Sequence, residues 1–249
     1  MPALSHGRQP DPGPGPGPAP GQGAALRWFG EVSGHGLLEV EAGAMARVLG
    51  ASPPLPWAWF GVAAAQPPHG RGVALRRSVE GFDGAVRCRL PLPLASEAFG
   101  AVLLQHVFDD GADPLPLLGE CARILAPGGR LWLATLNPWS PYRLRWARSG
   151  LHARDAGHWQ AALRSSGFAA DPVSLQWLGP RWRAAHGEAG GIGAADVLRA
   201  GLALSLTKRV HAAIPPTRLQ QLRWQTGLVP RDAAAQRGAA ARKREDGAG

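Results

Sequence analysis

An α/β fold built on a mostly parallel sheet is what this sequence predicts, and three observations predict it. Apolar runs of strand length alternate with segments of helical period between residues 37 and 207. Pro127-Gly128-Gly129 stands directly between a helical pattern and an apolar run, as a short helix-to-strand connection would. Two tails are poor in core-forming residues, which leaves one central segment of domain size: residues 1–24 hold seven Pro and six Gly, and residues 233–249 are mostly Ala, Gly and charge. Neither tail can bury enough apolar surface to offset its ordering entropy. The domain is therefore expected over 25–232, between a disordered Pro/Gly-rich tail, 1–24, and a disordered basic tail, 233–249.

The elements follow in order. Leu37, Leu38, Met45, Val48 and Leu49 recur near a 3.6 period, so 37–49 reads as a helix, stopped by Pro53-Pro54. Leu55–Phe60 is a short apolar run ending at Gly61, a buried strand. Gly72–Leu75 and Gly84–Arg87 read as two further short strands, and Ala101–Leu104 as a stronger one. Pro114–Leu125 has Pro at its start and an apolar stripe of Leu117, Leu118, Cys121, Ile124 and Leu125, the pattern of an amphipathic helix. Arg130–Leu136 is the next strand. Asp155–Ser166 is a helix with Asp155 as N-cap and Gly167 as the residue after its end. Val173–Leu178 and Leu202–Thr207 complete the strands.

Composition excludes several classes. No stretch of 18 apolar residues exists, so no transmembrane helix and no membrane partner are expected. The amino terminus lacks the apolar core of a secretory signal, and a cytoplasmic location is the expectation. Cys88 and Cys121 are the only cysteines, too few for a disulfide framework or a Cys₄ zinc site, and no metal is expected. The net charge is +9, with 25 Arg against two Lys. It is unevenly spread: 25–139 carry 9 basic and 10 acidic residues, whereas 140–229 carry 12 basic and 4 acidic. That half either faces an anion or reflects an Arg-rich composition that accompanies the Ala, Gly and Pro enrichment.

Two stretches carry a family resemblance. One is Leu92-Pro-Leu-Ala-Ser-Glu-Ala-Phe99-Gly-Ala-Val-Leu-Leu-Gln-His106, and the other is Arg123-Ile-Leu-Ala-Pro127-Gly-Gly-Arg130-Leu-Trp-Leu. Together they resemble the type 11 branch of the class I S-adenosylmethionine-dependent methyltransferases. The resemblance implies a Rossmann-like methyltransferase sheet with an antiparallel last strand and helices on both faces. It implies S-adenosylmethionine as cofactor and methyl transfer to a small-molecule or nucleotide-like acceptor, with nucleic acid not the favoured partner. The sequence leaves the oligomeric state open.

The cofactor motifs of that family are degenerate here. Where it has a Gly-rich loop after strand one, this chain has Gly61-Val-Ala-Ala-Ala-Gln66. Where it has a carboxylate after strand two, this chain has Arg76-Arg77-Ser78. Cys88 occupies the aligned strand-three position, and Gly100 replaces a common Asp before strand four. The candidate cofactor contacts are thus Gly61, Arg76, Cys88 and Gln105. The alternative reading is a catalytically decayed relative serving as a binding or scaffold module.

His106, at the end of strand four, is the candidate general base if neutral and accessible; otherwise it is a buried, hydrogen-bonding His. Asp109, Asp110 and Asp113 read as a solvated loop that caps the next helix. Asn137-Pro138-Trp139 is similar to the Asn-Pro-Pro-aromatic motif of amino-methyltransferases but follows the wrong strand, so Asn137 and Trp139 are candidates for lining the acceptor pocket. Gly190–Gly193 reads as a loop rather than a dinucleotide site. Five Trp (139, 146, 159, 177 and 182) interleave with Arg143, Arg145, Arg148, Arg181 and Arg183. They either pack with Arg stems over them or bind single-stranded nucleic acid.

Overall fold

In a computed structural model of the chain, residues 22–168, 172–181, 192 and 194–209 are described. The two tails, the Gly190–Gly193 loop but for Ile192, Trp182 and Arg183 lie outside them, as does the end of the expected domain beyond residue 209. A short helix α1 (Gln22–Ala25) and a 3₁₀ segment (Leu26–Gly30) lead into α2 (Val32–Gly50). Then come β1 (Trp57–Gly61), β2 (Gly72–Ser78), β3 (Gly81–Gly84), β4 (Phe99–Gln105), α3 (Leu115–Ile124) and β5 (Leu125–Leu136). A 3₁₀ segment (Pro141–Arg145), α4 (Ala156–Leu163), β6 (Ser174–Leu178) and β7 (Gly201–Thr207) follow.

The strands form one sheet in the order β3-β2-β1-β4-β5-β7-β6. β2, β1, β4 and β5 are mutually parallel, while β7 runs antiparallel between β5 and β6. This is the expected methyltransferase-like sheet with its inverted last strand. The strand-order reversal falls between β1 and β4, so their carboxyl ends open the crevice where sheets of this kind bind ligands.

The two halves of the sheet differ. Around β4, α3 and β5 the architecture is the one the sequence predicts. Arg123 ties it together: its guanidinium donates to the carbonyls of Leu92 and Leu94 and pairs with Glu120, whose other contact is the Leu92 amide. This side chain adds to the β4–β5 ladder in joining the two stretches that carry the family resemblance. Around β1, β2 and β3 the fold is reduced. Residues 62–71 pass from β1 to its parallel neighbour β2 without a helix, in fewer residues than such crossovers normally take. Pro67-Pro68 prevents one, while Val62 and Ala65 turn inward. The strand expected over Gly84–Arg87 is instead Gly81–Gly84, an antiparallel hairpin partner of β2; beyond it only a single bridge joins Cys88 to Phe82.

Indoles cover the sheet where that crossover has no helix. Trp57 and Trp59 project from β1 onto the α2 face, into a cluster with Phe29, Leu37, Met45, Trp132, Tyr142 and Trp146. Their rings occupy the space over Gly72 and Gly61, where a Cβ would collide with each. The opposite face buries Leu104, Leu118, Ile124, Leu133, Trp159 and Leu204 beneath α3 and α4. Gly100 is explained by packing too: a Cβ there would lie 2.5 Å from the Pro53 carbonyl. In β5, Gly128 takes φ +74°, and Phe99↔Leu125 and Ala101↔Arg130 bracket the bulge that holds the Pro-Gly-Gly turn.

Candidate functional site

β1 and β4 end in register, with Gly61 beside Gln105 on one side and beside Arg76 of β2 on the other. Beneath this carboxyl edge runs a continuous chain of buried polar groups. Trp59 Nε1 donates to Gln105 Oε1 at 3.2 Å, and Gln105 Nε2 donates to Glu41 Oε2 at 2.8 Å. Glu41 Oε1 lies 2.8 Å from His106 Nε2, and Asp109 Oδ2 lies 2.7 Å from His106 Nδ1. Asp109 also accepts from the Leu136 amide and from the Thr135 hydroxyl. Glu41, His106 and Asp109 are fully buried.

A carboxylate facing each ring nitrogen favours the doubly protonated ring, an imidazolium that donates to both. Burial opposes that charge, but Glu41 and Asp109 outweigh it and push the His106 pKa up to about 9. The ring stacks on Phe29 with centroids 4.2 Å apart, and the residue itself sits at φ +57°. This is the buried, hydrogen-bonding His of the two readings. A neutral, accessible imidazole is not present, because both nitrogens are engaged and no part of the ring meets solvent.

The acidic loop departs from expectation in the same way. Asp109 and Asp110 are buried rather than solvated, and only Asp113 caps α3, by accepting from the Leu115 amide. Asp110 pairs with Arg77 Nε at 3.3 Å and accepts from the Ala112 amide. Arg77 belongs to β2 and Asp110 to the loop after β4, so this pair crosses past the carboxyl end of β1, which lies between those strands.

The sequence candidates fall into two groups. Gln105, His106 and Asn137 have every polar side-chain atom engaged within the fold. Asn137 Nδ2 donates to the carbonyls of Val197 and Arg199, and its Oδ1 accepts from the Trp139 amide. Gly61 lies under the Trp59 indole, and Arg76 sits over the same indole at 5.7 Å. Cys88 and Trp139 are different. Trp139 is 68% exposed. Cys88 is partly buried, its thiol pushed up by burial and by the nearby Asp83, and it lines a groove.

That groove, of about 580 Å³, lies along the β2–β3 hairpin between Ser78–Asp83 and Arg87–Arg89. Phe82 supplies its apolar wall, and Glu80 and Asp83 its acceptors, which face Arg89 and Arg87 at 2.7 and 2.8 Å. Glu80 is the carboxylate that follows β2. Sequence reasoning missed it because β2 continues past Leu75 to Ser78, so the turn that ends the strand comes three residues later than expected. Glu41 was missed as well: it lies on the buried face of a helix, and only its spacing from Leu37, Leu38 and Met45 hinted at that placement.

Known proteins resemble this chain in its fold and in part of its sequence. The methyltransferase domain family matches residues 76–133. A ubiquinone biosynthesis O-methyltransferase of Caulobacter vibrioides is 30% identical over 120 residues, 41% of this chain and 46% of that protein. One from Parvibaculum lavamentivorans is 39% identical over 57 residues, 23% of this chain and 22% of that protein. The chain thus spans less than half the length of these curated relatives. A Thermotoga maritima S-adenosylmethionine-dependent methyltransferase, described as a possible histamine N-methyltransferase, shares the fold at TM-score 0.50 with 18% identity, over 74% of this chain and 94% of that one.

Proposed function

We propose that this chain, a relative of the class I methyltransferases through residues 76–133 and through its sheet order, transfers a methyl group from S-adenosylmethionine to a small-molecule acceptor. The single observation that carries the reading is the coincidence of the two: the segment matched by the family contains β4, one of the two strands whose carboxyl ends open the crevice, together with α3 and most of β5.

The residues present suit the nucleoside half of that cofactor. Glu80, exposed at the end of β2, is a ready acceptor for a pair of ribose hydroxyls, and Phe82 and Cys88 offer apolar wall. Bound there, S-adenosylmethionine supplies an electrophilic methyl carbon on a sulfonium. The chain's own part is orientation. The buried Glu41–His106–Asp109 network holds the ends of β4 and β5 against α2, which makes His106 a positioning residue. Asn137 fixes the turn that presents Trp139 at the rim, and Trp139 is then the residue of that pair free to meet an acceptor. With His106 locked, proximity and orientation carry the rate, which suits an acceptor that ionises readily, such as a phenolic oxygen. The O-methyltransferase names of the curated relatives support an oxygen acceptor.

Titration calorimetry with S-adenosylmethionine and with its demethylated product tests the reading. Saturable binding of both is expected, weakened at least tenfold in Glu80→Ala. Absence of binding to either compound overturns the enzymatic reading and leaves the scaffold alternative.

A further inference from the structure

The connection after β5 is built as a display. From Pro138 to Arg154 it contains no acidic residue and carries Arg143, Arg145, Arg148 and Arg154. Its inner side is pinned by Asn137 and Ser140, which donate to carbonyls of 197–199, by the Tyr142 hydroxyl, which donates to the Ser33 carbonyl, and by the Arg145 carbonyl, which accepts from Trp28 Nε1. Its outer side exposes apolar groups that a folded monomer ordinarily covers: Trp139 is 68% and Leu144 71% exposed. Leu144 in the 3₁₀ segment and Ala147 in the turn after it, three residues apart, are both exposed and make a short apolar row. Arg143 and Arg148 flank that row, exposed and without an ion pair to any described residue. Val32, 76% exposed, lies next to Ser33, to which Tyr142 is bonded.

An indole, a leucine and flanking guanidiniums held on a rigid edge are what an anionic bilayer surface recognises. The apolar groups enter the headgroup boundary, and the cations pair with phosphates. A single-stranded nucleic acid fits less well, because aliphatic Leu144, Ala147 and Val32 offer no stacking face. No described helix is long and apolar enough to span a membrane, but lying on a surface requires none. We infer that residues 138–148 dock this protein peripherally on anionic membrane, with the carboxyl edge of the sheet toward the lipid. The inference does not depend on the methyl-transfer reading.

Co-sedimentation of the full chain with vesicles tests it, comparing pure phosphatidylcholine with phosphatidylcholine containing phosphatidylglycerol. Binding is expected only with the anionic lipid and should weaken as salt is raised. Trp139→Ser combined with Leu144→Ser should reduce it at least tenfold while leaving the melting temperature unchanged. Arg143→Gln combined with Arg148→Gln should reduce it comparably. Vesicle binding that both double variants retain would assign the effect to another basic segment, such as Arg242-Lys243-Arg244, and overturn the inference. So would absence of vesicle binding, or displacement from vesicles by a single-stranded oligonucleotide.

Discussion

Glu41 and His106 are 65 residues apart in the chain, yet Glu41 Oε1 and His106 Nε2 lie 2.8 Å apart in a site closed to solvent. The pair joins the middle of α2 to the end of β4, and Asp109 closes it from the other side. Removing one member of a buried pair typically costs about 3–5 kcal/mol, because the remaining charge stays buried without its partner. His106→Gln should lower stability by roughly that amount, measured as a shift in urea midpoint. A midpoint equal to wild type would mean that water reaches Glu41.

The same site sets a pH dependence. The folded-state pKa of His106, about 9, lies above its ordinary value of 6.5. Its contribution is therefore fully present below pH 6.5 and is lost as pH rises through about 9. It amounts to something on the order of 3 kcal/mol. Urea midpoints should fall between pH 6.5 and 9 in wild type and change much less in His106→Gln. Parallel curves for the two proteins would rule out a charged His106.

Arg77 and Asp110 form a second, shallower pair, with side chains 19% and 1% exposed. Arg77→Met should cost about 2 kcal/mol by stranding Asp110, and adding Asp110→Asn should recover most of the loss. A double variant as unstable as the single one would show that the guanidinium contributes by packing on Phe82, 5.6 Å away.

Gly128 stands at φ +74° with open space where a Cβ would go. Substitution there strains the backbone and nothing else. Gly128→Ala should cost about 1–2 kcal/mol and Gly128→Asn visibly less, since Asn tolerates this region. Equal thermal melts for Ala and Asn would remove left-handed backbone as the reason for glycine.

Asp155 Oδ1 accepts from the His158 amide at 2.8 Å and caps α4. Asp155→Ala should lose about 1 kcal/mol, whereas Asp155→Asn should keep most of the stability in thermal melts.

Legibility in the sequence followed the range of the interactions. α3, α4 with its Asp155 cap, the strands β4 to β7 and the Pro-Gly-Gly turn were readable because periodicity and turn chemistry are local. The hairpin β3 was displaced because Gly81-Phe82-Asp83-Gly84 is too short to show alternation and its partner is set by β2. Asp109 and Asp110 read as solvated because nothing local announces that Thr135, Arg77 and His106 will surround them. His106 could be placed at the correct edge, but its charge depends on Glu41, a partner supplied by the fold alone.

The indoles over Gly61 and Gly72 carry a consequence for descent. Each Trp–Gly couple shares one volume, so the glycine cannot be exchanged while the indole stays. Among homologous chains, a side chain larger than hydrogen at 61 should appear only where 59 has lost its indole, and likewise at 72 with 57. The cover on this face of β1 is thus coupled residue to residue: replacing either indole reopens the space over its glycine within the cluster against α2.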